Sequence, residues 1–336
     1  MIIALDAMGG DFAPASTVEG AIFAAKESKH KIVLVGHEKL ITKELLKYSK
    51  QRDFTSLNIE VVDAPEIIAM DEHPAKAVRR KKKSSLSICA QLVAEGKANA
   101  FVSLGNSGAV MAAALFYLKR IEGVLRPAIS TTLPTINGGY CIIADVGANV
   151  DCTPEYLLQF GIMSSLFCEK ITGIENPKVG LVSIGEEPVK GNELTLAAFN
   201  LLKKADINFI GNVEGRDILR AKADVVICDG FVGNVILKFG EGFSEMVLKL
   251  VKKEFKERPI AWISLPFLWL AVKDLRRKVD YSEFGGAPLL GVDGVCVIGH
   301  GRSNGKAVKN AIFVGVKSVE HNLAVGIREA IAKYNK

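Results

Sequence analysis

The stretch AFVSLGNSGAVMAA, residues 100–113, holds the reading that decides the fold. A short apolar run, Ala100 to Leu104, is followed by Gly105, Asn106, Ser107 and Gly108, and then by a helical pattern. That is the strand–turn–helix unit of a parallel sheet. The same rhythm occurs around it: IIALDA, KIVLVG, IEVVDA, YCIIADVG, KVGLVSIG, NFIGNV, DVVICDG and GVCVIGHG are each followed by a turn and usually a helix. PAISTTLPTINGG interrupts it as a strand and a Gly-Gly turn, so one hairpin is expected and the sheet is predicted to be mixed. The expected class is α/β, a mainly parallel sheet with helices on both faces. No internal repeat or Ser/Pro linker divides residues 1–336, which predicts one catalytic unit. The longest helical pattern spans 234–258, and together with the apolar tip and second basic helix after it predicts a projecting amphipathic hairpin over 240–285. DYSEFGGAPLLGVDG, residues 280–294, reads as a Gly-rich return to the sheet.

With 336 residues, 49% of them hydrophobic, the chain has material for a large core, and global disorder is excluded. Cys89, Cys141, Cys152, Cys168, Cys228 and Cys296 form no CxxC pair, and most lie in apolar runs. They read as buried free thiols of a reducing cytoplasm. The start MIIALDAMGGDF lacks a signal-peptide pattern, so a cytoplasmic location is expected. A formal charge of +6 favours an anionic substrate, surface or partner. No nucleic-acid motif accompanies it, and nucleic acid is not expected as a partner.

In open α/β sheets ligands sit beyond the carboxyl ends of the strands. Those ends supply the candidate substrate contacts: Asp6, Gly9, Gly10 and Asp11; Gly105, Asn106, Ser107 and Gly108; Asp145 and Asn149; Glu187, Lys190 and Asn192; Asn212; and Asp229, Gly233 and Asn234. The 105–108 turn forms a cradle of N–H groups with a hydroxyl. Lys190, flanked by Gly185, Pro188 and Gly191, is placed to hold an anion, whereas Asn234 reads equally as a helix N-cap. GxGxxG and GxSxG are absent, HGRSNGKA has the wrong spacing for a P-loop, and the five histidines make no metal cluster. Phosphate-friendly loops remain, without an obvious covalent nucleophile. Arg79, Arg80, Lys81, Lys82 and Lys83 form a basic run before a helix, either a solvated face or a docking patch for an acidic macromolecule. PIAWISLPFLWLAVKDLRRK, residues 259–278, is too short and too interrupted to cross a bilayer, which needs roughly 20 apolar residues. Core, partner interface and membrane surface all stay open for it.

ALDAMGGDFAP, VRRKKKSSL, SLGNSGA, ADVGAN, SIGEEPVKGNEL, GNVEGRD and CDGFVGN, in this order, resemble the bacterial acyl-ACP:phosphate acyltransferases, the PlsX family of phospholipid synthesis. The resemblance covers almost the whole chain. It implies transfer of a long fatty acyl group from acyl carrier protein to inorganic phosphate, giving acyl phosphate for a membrane glycerol-3-phosphate acyltransferase. It further implies a fold similar to isocitrate and isopropylmalate dehydrogenases and phosphotransacetylase, a homodimer, and peripheral membrane association. Neither metal nor organic cofactor is expected. In that chemistry Lys190, with Asn234 and the amides near Gly233, orients phosphate, while Ser107 or Asn106 faces the carbonyl oxygen. The basic run 79–83 meets the acidic carrier protein, and Trp262, Leu265, Phe267, Leu268 and Trp269 sit at the headgroup boundary. Two competing readings are a phosphotransacetylase-like enzyme using acyl-CoA and a non-catalytic membrane scaffold for lipid enzymes.

Overall fold

The computed structural model describes residues 1–49, 57–257 and 285–334. Eleven strands form one sheet in the order β3-β2-β1-β4-β11-β10-β5-β6-β9-β7-β8. One parallel block comprises β1 (Ile2–Asp6), β2 (Lys31–Gly36), β3 (Ile59–Asp63), β4 (Ala100–Ser103) and β11 (Val295–Gly299). The other comprises β6 (Tyr140–Ala144), β7 (Val179–Val182), β8 (Phe209–Val213) and β9 (Val225–Ile227). Between them β10 (Gly286–Leu290) and β5 (Ala128–Pro134) pair antiparallel with each other and with their outer neighbours, so the two blocks run in opposite directions. The β5–β6 hairpin is the expected one, closed where Thr135 N donates to the Gly139 carbonyl at 3.0 Å. β10 is a strand the sequence pattern hides, because Pro288 lacks an N–H. It aligns with Val297 of β11, and pairing with β5 begins at the next residue, Leu289.

Alternation along the strands explains why helices cover both faces. Ile3, Leu5, Ile32, Leu34, Val102 and Val297 enter one core under α1 (Ala15–Glu27) and α10 (Gly305–Glu320). Ile142, Ala144, Val225 and Ile227 enter a second under α6 (Pro154–Thr172) and α11 (Leu323–Tyr334). The residues between them, Ala4, Val33, Phe101, Cys141, Ile143, Val226 and Cys296, point to the opposite face. There they form one core spanning both blocks, which ties the halves together. It packs under α4 (Ser85–Ala94), α5 (Ser107–Tyr117) and the start of α9 (Gly230–Glu257). The remaining helices are α2 (Glu38–Ser49), α3 (Pro74–Arg80), α7 (Glu193–Leu202) and α8 (Gly215–Leu219). Five cysteines are buried free thiols and Cys152 is half-buried. No described helix is long and apolar enough to cross a membrane.

α9 begins four residues before the expected 234. Asp229 Oδ1 accepts from the N–H groups of Phe231 and Val232 at 3.0 and 2.9 Å, so Asp229 fastens the helix start and Asn234 lies inside the first turns. The predicted hairpin over 240–285 is described as far as Glu257. Trp262, Leu265, Phe267, Leu268 and Trp269 lie outside the described residues.

Candidate active site

The strand-end loops gather into two groups, one per block. In the first, Asp6 closes β1 at 3% exposure, and Ser103 Oγ donates to its Oδ2 at 2.7 Å. Met8 N–H donates to Oδ1 at 3.2 Å, and Ser103 Oγ itself accepts from Gly105 N–H at 3.2 Å. Burial pushes the Asp6 carboxyl above its ordinary value, while the hydroxyls of Ser85 and Ser103 pull it back. Asp6 is therefore a fastener between the turns after β1 and β4, and it faces no open site. Gly9 is needed there because a Cβ would meet Gly105 N at 2.8 Å. Asp11 N donates to the Gly301 carbonyl at 2.8 Å, which adds the loop after β11. Gly10 packs against the same Gly301 and Leu104. Asn106 caps α5, accepting from Ala109 N at 3.1 Å, and its amide donates to the carbonyls of Met70 and Glu72. Ser107 is exposed, and Gly108 packs on Pro74.

In the second group Asp145, fully buried, plays the part of Asp6. It accepts from the N–H groups of Ile129, Gly147, Ala148 and Asn149 at 3.0, 3.2, 3.1 and 2.6 Å, and from Asn149 Nδ2 at 2.9 Å. Burial pushes this carboxyl up and the donors pull it down. Gly147 lies against Asn234, whose side chain is exposed. On the next strand end, buried Asn212 donates to the carbonyls of Glu187 and Lys190 at 2.9 and 3.3 Å. That clamp holds the loop while Lys190 itself stays exposed and pairs with no described carboxylate. Asn192 caps α7, accepting from Thr195 N at 2.9 Å. Asp6, Asp145, Asn192, Asn212 and Asp229 thus shape the loops from within, and Lys190, Asn234 and Ser107 offer side chains outward.

The groups meet at α9. Asn234, Lys238 and Glu241 share one helix face at i, i+4 and i+7, with Lys238 about 6 Å along the axis from Asn234. Lys238 Nζ lies 3.2 Å from His300 Nε2 on the loop after β11 and 2.9 Å from Glu241 Oε2. Arg302 N donates to His300 Nδ1 at 3.1 Å. Burial, then the Lys238 charge, pushes the imidazolium below its ordinary value. Lys238 and Glu241 are not among the sequence candidates, and their helical spacing from Asn234 was the available signal. Among the described residues no group of His, Cys, Asp or Glu is arranged to hold a metal ion.

Residues 1–326 match the family model described as fatty acid synthesis protein. The chain belongs to that family. A phosphate acyltransferase from Endomicrobium trichonymphae is 77% identical, covering 100% of this chain and 99% of its own length. At the level of fold, this member of the family is similar to a phosphotransacetylase structure from Streptococcus pyogenes. The TM-score is 0.61 at 15% identity, over 95% of this chain and 94% of that one. It is also similar to a 4-hydroxythreonine-4-phosphate dehydrogenase from Klebsiella pneumoniae. There the TM-score is 0.50 at 12% identity, over 97% and 98% of the two chains. Both likenesses support the expected dehydrogenase-like α/β architecture.

Proposed function

We propose that this family member transfers a fatty acyl group from a thioester on acyl carrier protein to inorganic phosphate. A phosphate oxygen bonds to the carbonyl carbon, the C–S bond breaks, and the thiolate leaves to be protonated by water. The observation that carries the reading is the exposed Lys190 on its clamped loop, one strand over from the β9 end that feeds Asn234. Neighbouring strands lie about 4.8 Å apart, so the loops that carry the Lys190 ammonium, the Asn234 amide and the Gly147 turn leave adjacent strand ends. Phosphate is its own nucleophile, so positioning and charge stabilisation suffice, and a thiol of pKa ~8.5 leaves without strong acid help. Incubating the protein with palmitoyl-ACP should release free carrier protein in proportion to added phosphate, with or without chelator. Release independent of phosphate would sink the reading.

A homodimer is supported by α9, where Phe231, Val235, Phe239 and Phe243 recur every four residues and stay exposed. Phe239 is 73% exposed and its ring stacks on Phe243 at 6.1 Å. A stripe of this kind marks an association surface. Phe239→Asp should shift sedimentation from dimer toward monomer, and an unchanged dimer at micromolar concentration removes α9 from the interface.

Peripheral membrane contact rests on residues 259–278, where Trp262 and Trp269 are followed by Arg276, Arg277 and Lys278. Basic residues near anionic lipid add on the order of 1 kcal/mol each. The Trp262→Glu, Trp269→Glu variant should fail to float with anionic liposomes. Undiminished flotation would return the stretch to core or interface.

A further inference from the structure

The five cations at 79–83 divide into two kinds. Arg79, Arg80, Lys82 and Lys83 are exposed, whereas Lys81 turns inward. Its Nζ donates to the Ile67 carbonyl at 2.7 Å and to Glu72 Oε1 at 2.6 Å. The same carboxylate oxygen accepts from Ala69 N–H at 2.7 Å, which fixes the turn 69–72. The carbonyls of that turn, Met70 and Glu72, accept from Asn106 Nδ2 at 2.9 and 3.1 Å. Asn106 in turn starts α5 and stands between Gly105 and Ser107. Lys81 is also held from the other side. Its carbonyl accepts from Ser84 N at 3.2 Å and from Ser87 Oγ at 3.0 Å, at the start of α4.

Segment 67–72 is therefore a bridge. One end is fastened by Lys81 in the middle of the basic run, the other by Asn106 in the turn that faces outward at Ser107. Its apolar anchoring is thin, since Ile68 is buried but Met70 is 48% exposed, so the polar links set its position. A shift of the Asn106 turn by about 1 Å is enough to cost on the order of 10²-fold in a reaction that depends on positioning.

We propose that Lys81 is a positioning residue for acyl transfer, a strut that connects the exposed docking cations through Glu72 to the Asn106–Ser107 turn. It rests on the reading that this turn faces the thioester carbonyl. The coupling to docking rests further on the donor seating at Arg79, Arg80, Lys82 and Lys83. Charge carried by those four side chains attracts the donor, and the strut transmits how it is seated.

The test compares Lys81→Met, Lys81→Arg, Glu72→Gln and the pair Lys82→Glu, Lys83→Glu in one steady-state assay at low ionic strength, using palmitoyl-ACP with melting temperatures alongside. Charge reversal at 82 and 83 should raise the donor KM by about tenfold or more and move kcat little, as expected for steering. Lys81→Met and Glu72→Gln should each lower kcat by about tenfold with KM nearly unchanged. The combined Lys81→Met, Glu72→Gln variant should be no worse than either single, because both break one link. Lys81→Arg, keeping a cation, should restore most of kcat.

Lys81→Met that raises KM with kcat intact makes Lys81 one more docking cation and overturns the strut. So does wild-type kcat, or a kcat loss that Lys81→Arg does not restore and that follows the melting temperature. If reversal at 82 and 83 leaves KM unchanged while Lys81→Met still lowers kcat, the docking reading fails and the strut stands.

Discussion

Lys190→Ala should lower kcat/KM for phosphate by about 10²-fold or more, the range seen when one preorganised charge-stabilising donor is removed. The melting temperature should hardly move. The loop is secured by groups that do not involve the lysine side chain. Asn212 Nδ2 donates to two carbonyls and Ser183 Oγ donates to the Lys190 carbonyl at 2.9 Å. An exposed substitution away from such contacts stays within about 0.5 kcal/mol of wild type. Lys190→Arg should be intermediate, because the guanidinium keeps the charge but presents a planar fork where a point charge fits. Phosphate titration of acyl-phosphate formation is the measurement. An unchanged kcat/KM for phosphate in Lys190→Ala would take Lys190 out of the site.

The parallel blocks were legible because buried strands advertise themselves as β-branched runs bounded by glycine turns. Where the sequence misled, a long-range contact had overruled a local signal. Pro288 argues against a strand on propensity alone, but only its pairing side toward β11 is used at that position. Asp229 and Asn234 are both good cap residues, five positions apart. The packing of Gly230 and Gly233 on the Asp145 loop decides in favour of Asp229.

The site was legible as a set of loops and much less as a set of roles. A carboxylate at a strand end carries the same one-dimensional signature whether it faces solvent or its own backbone. Asp6 turns inward onto a hydroxyl from Ser103, far along the chain, and Asp145 onto donors of its own turn together with Ile129 N–H. The same holds for Lys81. Five consecutive cations look equivalent until the fold brings Glu72 within 2.6 Å of one of them. Likewise Lys238 becomes notable only when α9 crosses to His300 of the other block.

Gly233→Ala should cost about 3 kcal/mol, the upper end of the overpacking range, and lower the melting temperature by roughly 5–10 °C. Alanine is intrinsically better than glycine inside a helix by about 1 kcal/mol, so the sign is decided by space. A Cβ at Gly233 would overlap the Asp145 carbonyl oxygen and lie 2.9 Å from its carbonyl carbon and 3.0 Å from Cys228 Sγ. The obstacle is backbone, and it cannot retreat. Five N–H donors hold the Asp145 carboxylate, its own N–H donates to the Cys228 carbonyl at 3.0 Å, and Cys228 N donates to the Ala144 carbonyl at 2.8 Å. The helix must move instead. That carries Asn234 away from Gly147 and Lys238 away from His300, so transfer should fall further than the loss of folded protein explains. Gly240→Ala is the matched comparison on the same helix, since no described atom lies within 4 Å of its added carbon. It should be neutral or slightly stabilising with activity intact. Equal stability and activity of the two variants would show that α9 does not press on the Asp145 loop, and with that the meeting of the two loop groups at its first turns would fail.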